Sequence, residues 1–229
     1  MSLKTLFLDA GGVLVFPNWE RASRTFGRHG VPVGAGALAA ADAPAKRRID
    51  DGEQIAVTTD HQRSFPYFSL LLECAGVPQT AATDAALAEL LAYHSTHNLW
   101  EYIPPDVRPA LARFRSLGLK LVVVSNSNGL LPLCFDRIDL TSCFATVLDS
   151  AIEGVEKPDP AIFRLALERS GSTPEETMHV GDLYHVDVVG ARRAGITPAL
   201  LDPFGLYPDA DCLRVKCLGE RSEEHTSEL

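Results

Sequence analysis

Aspartates stand where apolar runs of this chain stop. Asp9 follows Thr5 to Leu8, Asp182 follows Met178 to Val180 and Gly181, and Asp187 lies five residues beyond Asp182. Ser125-Asn126 ends a second run, and Lys157 opens the stretch Lys157-Pro158-Asp159-Pro160. Carboxylates brought together repel, and one is driven neutral unless a cation stands among them. An all-oxygen donor set suits Mg²⁺, which keeps several waters and partners phosphate. The hydroxyl of Ser125, the amide of Asn126 and the ammonium of Lys157 are the donors a dianionic phosphoryl group needs. In Asp9-Ala10-Gly11-Gly12-Val13-Leu14 the paired glycines predict a tight turn that carries backbone amides, Gly12 included, toward a phosphate. They do not make a dinucleotide fingerprint, because the G-x-G-x-x-G spacing is absent.

Such residues need a scaffold that gathers strand ends. Apolar runs rich in Leu and Val span Thr5 to Leu8, Leu119 to Val124, Ala145 to Leu148, Met178 to Val180 and Pro198 to Leu201. Short continuous runs of this kind are the pattern of buried parallel strands. Helices lie between them. Asp106 to Leu117 precedes Gly118, Asp159-Pro160 opens a helix that ends before Gly171, and Val186 to Ala194 ends at Gly195. Thr173-Pro174-Glu175-Glu176 has the spacing of a capping box. The alternation predicts an α/β fold with a parallel sheet and right-handed crossovers. Residues 17–103 break it. Trp19 to His29, Ala35 to Arg48, Ser64 to Cys74 and Ala85 to Trp100 read as helices, with no strand among them. Pro17 and Pro104-Pro105 bracket this block, which predicts a separate small domain on two linkers.

The composition fits a protein with a real core. Of 229 residues, 46% are apolar and 22% charged, close to ordinary globular usage. Acidic residues outnumber basic ones 30 to 21, a net charge of −9, which excludes broad polyanion binding and so nucleic acid as a partner. Five scattered cysteines with no C-x-x-C speak against a disulfide scaffold or structural zinc. An acid at position 9 ends any signal-peptide reading, and no apolar run approaches the ~18 residues of a membrane span. The expectation is a cytoplasmic protein with no membrane partner, as monomer or homodimer.

With these four motifs in this order, the chain resembles the haloacid dehalogenase-like (HAD) superfamily of hydrolases, in the form whose helical cap is inserted after the first motif. The resemblance runs from Thr5 to about Glu220. It implies a Rossmann-like core over 1–16 and 104–220, and an all-helical cap over 17–103 that closes on the site and selects the substrate. It implies Asp9 as the nucleophile that becomes an aspartyl-phosphate, with Ser125 and Lys157 holding the transferring group. Asp9, the backbone carbonyl of Gly11 and Asp182 would ligate Mg²⁺, and Asp187 would support the metal directly or from behind. The substrate implied is a small phosphorylated metabolite.

One departure matters. Phosphatases of this superfamily usually carry a second Asp two residues after the nucleophile, which protonates the leaving group; here that residue is Gly11. A missing general acid is worth about 10²–10⁴-fold in rate. The favoured reading is therefore a Mg²⁺-dependent phosphatase suited to good leaving groups. The alternatives are a metal-free 2-haloacid dehalogenase, whose halide needs no acid, and a non-catalytic binder of a phosphometabolite or protein. His185, between Asp182 and Asp187, is a candidate stand-in acid. His94 and His97, and Arg21, Arg24 and Arg28, share helix faces but read as packing or solvated residues, and Asp149-Ser150 reads as a turn.

The last nine residues, Arg221 to Leu229, read Arg-Ser-Glu-Glu-His-Thr-Ser-Glu-Leu. They match one frame of a common short-read sequencing adapter (AGA TCG GAA GAG CAC ACG TCT GAA CTC), while the segment before them reads like the approach to a packed helix. The tail is read as non-native, and fold reasoning stops near Glu220. Resequencing the source locus should show the native frame diverging after about Glu220; a genomic copy of the nonapeptide would contradict this.

Overall fold

The computed structural model describes residues 3–219, so the adapter-like tail lies outside the described residues. The chain divides into two compact units. One comprises Phe16 and the chain before it together with the chain from Ile103 onward; the other is Pro17–Tyr102.

The strands in chain order are β1 (Thr5–Leu8), β2 (Phe16–Pro17), β3 (Trp100–Tyr102), β4 (Lys120–Ser125), β5 (Thr146–Asp149), β6 (Thr177–Gly181), β7 (Thr197–Leu201) and β8 (Leu213–Val215). Six of them form one sheet in the order β5-β4-β1-β6-β7-β8. Every neighbouring pair is parallel. All four residues of β1 are buried, as expected of a strand covered on both faces. Phe7, Val122, Val124 and Leu148 pack with Ile162, Phe163, Ala166 and Ala191 into one core cluster. The helix Pro160–Ser170 that covers them starts where the Asp159 carboxylate accepts from Ala161 N at 2.9 Å, and it stops at left-handed Gly171. The helical residue Gly190 has no room for a side chain. A Cβ there would lie 2.8 Å from Phe163 Cε2 and 3.1 Å from Pro158 Cα, so the close approach requires glycine.

Three expectations are corrected in this unit. The Thr173 side chain makes no capping hydrogen bond, and Pro174–Glu176 is a single 3₁₀ turn. The Glu176 carboxylate still bonds the Thr173 backbone, and it also pairs with Lys4 at 2.7 Å. Val186 to Ala194 is not one α-helix: a π-helical turn, Tyr184–Val188, leads into a short α-helix, Val189–Arg193. The segment before the tail forms β8, not the approach to a helix. The Asp202 carboxylate accepts from Leu206 N and Tyr207 N at 2.8 and 3.1 Å, and Asp202 N bonds Val215 O, which turns the chain back onto the sheet.

The unit Pro17–Tyr102 contains the helices Trp19–Arg28, Ala35–Ile49, Gly52–Val57, Asp60–Cys74 and Ala81–His97. Phe26, Leu38, Phe68, Leu71, Leu90 and Leu99 fill its own core. The helix expected from Ser64 begins at Asp60, because Thr59 and Gln62 form a reciprocal capping box. The expectation of no strand is also corrected. Asn98, at φ 65°, ends the last helix at His97, and β3 pairs with β2 in a two-stranded ribbon.

His94 faces that turn. Its Nδ1 accepts from Leu99 N at 3.1 Å, its ring meets Trp100 edge-on at 5.2 Å, and burial pushes it down to about 4. His97 stacks on Tyr93 at 4.7 Å. Both are packing residues. A histidine that protonates later when folded than when unfolded destabilises the fold as pH drops from about 6.5 toward 4. Between pH 7 and 5 the unit should lose about 2 kcal/mol on this account, and His94→Gln should remove the loss. Both tryptophans, Trp19 and Trp100, lie in this unit, so urea melts followed by their fluorescence report it. Equal losses in wild type and variant would contradict the assignment.

Candidate active site

The strand order places the site. From interior β1 the chain builds outward through β4 and β5 on one side, then through β6, β7 and β8 on the other. Where an open parallel sheet reverses in this way, a crevice opens at the carboxyl ends of the strands. Leu8 is in register with Val123 of β4 and Val180 of β6, so Asp9, Ser125 and Gly181-Asp182 emerge side by side.

A buried ion cluster occupies that point. Lys157 is 1% exposed, and its Nζ lies 2.9 Å from Asp9 Oδ1 and 2.7 Å from Asp187 Oδ1. Burial would lower the Lys157 pKa, but Asp187 and Asp9 outweigh it and hold the ammonium above the ordinary lysine range. Burial likewise would raise Asp187, but Lys157 and then His179 hold that carboxyl well below the usual range. Each charge in this pair is thus tolerable only because the other is present. The Lys157 backbone is fixed as well. Asn126 Nδ2 donates to Lys157 O at 2.9 Å, and Lys157 N donates to Asn126 Oδ1 at 2.8 Å. The Asn126 amide thus clamps the lysine backbone.

The loop after β1 shapes the other side. Ala10 N donates to Asp9 Oδ1 at 2.7 Å. Gly12 has φ 84°, a conformation that favours glycine, and its N–H donates to Val15 O at 2.9 Å. The Gly12 amide thus closes the turn that shapes this loop. Gly11 is not among the positive-φ glycines, and none of the described residues hydrogen-bonds to its carbonyl. Ser125 is buried, and its hydroxyl donates to Asn126 O at 3.3 Å.

Asp9, Asp182 and Asp187 each place a carboxylate oxygen within 4.8 Å of the others. Three carboxylates and one ammonium leave a charge of −2, and every donor is oxygen. That set fits a hard divalent cation. Asp187 contributes differently from the other two: its Oδ1 accepts from Lys157 and from His179 Nε2 at 2.9 Å, and its Oδ2 from Leu183 N at 3.1 Å.

Two anchors here went unnoticed in the sequence. His179, fully buried on β6, sits as the one polar residue inside the run Met178 to Val180, and that interruption is its signal. Asp149 is no simple turn residue. Its buried carboxylate accepts from Gly129 N, Leu131 N and Ala151 N and so ties the loop after β4 to the end of β5. His185 lies half-buried on the π-turn, edge-on to Tyr184 at 5.3 Å. Arg21 pairs with Glu101 at 3.0 Å and covers the Tyr93 ring, and Arg28 pairs with Glu89; both serve the helical unit.

The family model of haloacid dehalogenase-like hydrolases matches residues 3–195. The chain belongs to that family. It is 38% identical over 149 residues to a glyceraldehyde 3-phosphate phosphatase of Methanopyrus kandleri, covering 63% of this chain and 61% of that protein. It is 37% identical over 129 residues to haloacid dehalogenase-like hydrolase domain-containing protein 3 of Danio rerio, covering 54% and 53%. The chain thus spans only about three fifths, or less, of these relatives' length. Among solved structures, YfnB of Bacillus subtilis, determined with bound magnesium, shares the fold with a TM-score of 0.70 at 16% identity, over 95% of this chain and 96% of that one. A 2-haloacid dehalogenase of Pseudomonas syringae aligns with a TM-score of 0.56 at 26% identity, over 95% of each. Among the described residues, no helix is long and apolar enough to cross a membrane.

Gly181 is the tightest point of the site. A Cβ there would lie 2.1 Å from Asp187 Cγ, so the Gly-Asp pair lets the strand end and Asp187 meet. Gly181→Ala should destabilise the fold by about 1–3 kcal/mol through overpacking. Gly27→Ala, whose methyl would meet nothing within 4 Å, is the control. Urea unfolding that is unchanged in Gly181→Ala would refute the packing account.

Proposed function

We propose that this protein is a Mg²⁺-dependent phosphatase of small phosphomonoesters that works through Asp9. The observation that carries the reading is the buried line Asp9–Lys157–Asp187 beside Asp182, with a net charge of −2 at the sheet's switch point. Phosphatase-named relatives support the same class, without naming this chain's own substrate.

Lys157 and Ala10 N both bind Asp9 Oδ1, which fixes the carboxylate and leaves Oδ2 for attack on phosphorus. Attack forms the Asp9 acyl-phosphate as the ester oxygen leaves with the bond pair. Water then cleaves the acyl-phosphate, releasing phosphate and restoring Asp9. Lys157 and the Ser125 hydroxyl stand where charge develops on the transferring group. Mg²⁺, held by Asp9, Asp182 and the Gly11 carbonyl, would supply charge neutralisation for the phosphate. Asp187 holds Lys157 in place from behind.

Gly11 lies outside the left-handed backbone region that Gly12 occupies, so the missing side chain at Gly11 is separate from the turn made by Gly12. The site then favours esters whose leaving oxygen needs little protonation. A dehalogenase shares the fold, but the cation-seeking set of acids favours phosphate.

With p-nitrophenyl phosphate, turnover should require Mg²⁺ and fall to background in Asp9→Asn. Gly11→Asp should raise turnover of alkyl phosphates by up to about 10²-fold, the lower end of what a general acid contributes. If 2-chloropropionate is turned over under chelator while the ester is untouched, the phosphatase reading is wrong.

A further inference from the structure

His179 is 0% exposed in the middle of β6, in register with Phe7 on one side and Pro198 on the other. Asp187 is ionised against Lys157 and can only accept, so His179 Nε2 must carry the hydrogen in their 2.9 Å contact. Its Nδ1 is buried and has no hydrogen-bond partner among the described residues, and the ring stands edge-on to Phe163 at 4.9 Å. A ring hydrogen on Nδ1 instead would bury an N–H without an acceptor and turn a bare lone pair toward Asp187, so the geometry selects the Nε2–H tautomer.

The position of Lys157 depends on this donor. Asp187 Oδ1 holds the ammonium, while His179 on Oδ1 and Leu183 N on Oδ2 set the plane of the carboxylate. Without His179, the carboxylate can turn and take the ammonium with it, off its place on Asp9 Oδ1, which changes the charge a divalent cation meets.

We propose that His179 is a positioning residue that, through Asp187, fixes Lys157 on Asp9 Oδ1 and so sets the geometry of the cation site formed by Asp9, Asp182 and the Gly11 carbonyl. This rests on the reading of those groups as a Mg²⁺ site. The logic is that of histidine–carboxylate pairs around metals, with the order reversed: here the histidine steadies an acid that steadies a lysine.

The test is calorimetric titration of the whole protein with Mg²⁺ alone, with thermal unfolding to establish that each variant is folded. His179→Leu should weaken Mg²⁺ binding by about 10-fold or more, the usual cost of losing an outer hydrogen-bond partner. His179→Gln restores a donor near the Nε2 position, and even the unpaired acceptor, so it should bind within about 3-fold of wild type on the same scale. Ring ¹⁵N NMR of wild type should show Nε2 protonated and Nδ1 bare. Wild-type affinity in folded His179→Leu, loss in His179→Gln equal to that in the Leu variant, or a proton on Nδ1 would each overturn the proposal. If His179→Leu does not fold, the Gln titration and the NMR tautomer decide. If wild type itself takes up no Mg²⁺, the metal reading fails and this proposal with it.

Discussion

A lysine ammonium that is almost wholly removed from water is the constraint on which this site depends. Lys157 stays charged because Asp187 and Asp9 flank it within 3 Å. Removing either carboxylate would leave a buried charge with half its compensation, a defect typically worth several kcal/mol. The same attraction aligns the proposed nucleophile, since one oxygen of Asp9 is engaged by the ammonium and by the next residue's N–H. In the proposed mechanism one set of contacts thus serves both stability and chemistry.

Much of the surrounding structure keeps those contacts in register. Asn126 grips the Lys157 backbone from the end of β4, across the gap between two motifs far apart in sequence. Gly190 lets its helix close on Pro158, and Gly181 lets β6 close on Asp187. Asp149 holds the loop after β4 through Gly129 N and Leu131 N and its own end of β5 through Ala151 N. Each removes a freedom that would let a charged group drift by an ångström, and in a dry site that distance changes electrostatic energies substantially.

The five strand runs were legible because buried parallel strands are written as short apolar stretches ended by polar or glycine residues. Thr5 to Leu8 is the clearest case. The ribbon β2–β3 was not legible: Phe16-Pro17 is two residues long, and Trp100 continues an apolar helical pattern until Asn98 breaks it at positive φ. The capping box at Thr173 was legible by half. Glu176 does fold back to the Thr173 backbone, as the spacing allowed, and Lys4, distant in sequence, shares its carboxylate. The Thr173 side chain makes no cap, and the segment stays a single 3₁₀ turn.

The site divides in the same way. The sequence alone determined which groups are present: Asp9, Ser125, Lys157, Asp182 and Asp187 at chain positions where strands end, and Gly11 where an acid is usual. Residue type carries chemical capacity, and apolar periodicity carries strand ends, so both can be read in one dimension. Only the tertiary structure decided what each group is committed to. It gave the Asn126 amide to the lysine backbone, the Gly12 N–H to Val15, and both oxygens of Asp187 to Lys157, His179 and Leu183. Hydrogen bonds are directional and saturable, and which donor reaches which acceptor is set by the approach of segments far apart in the chain.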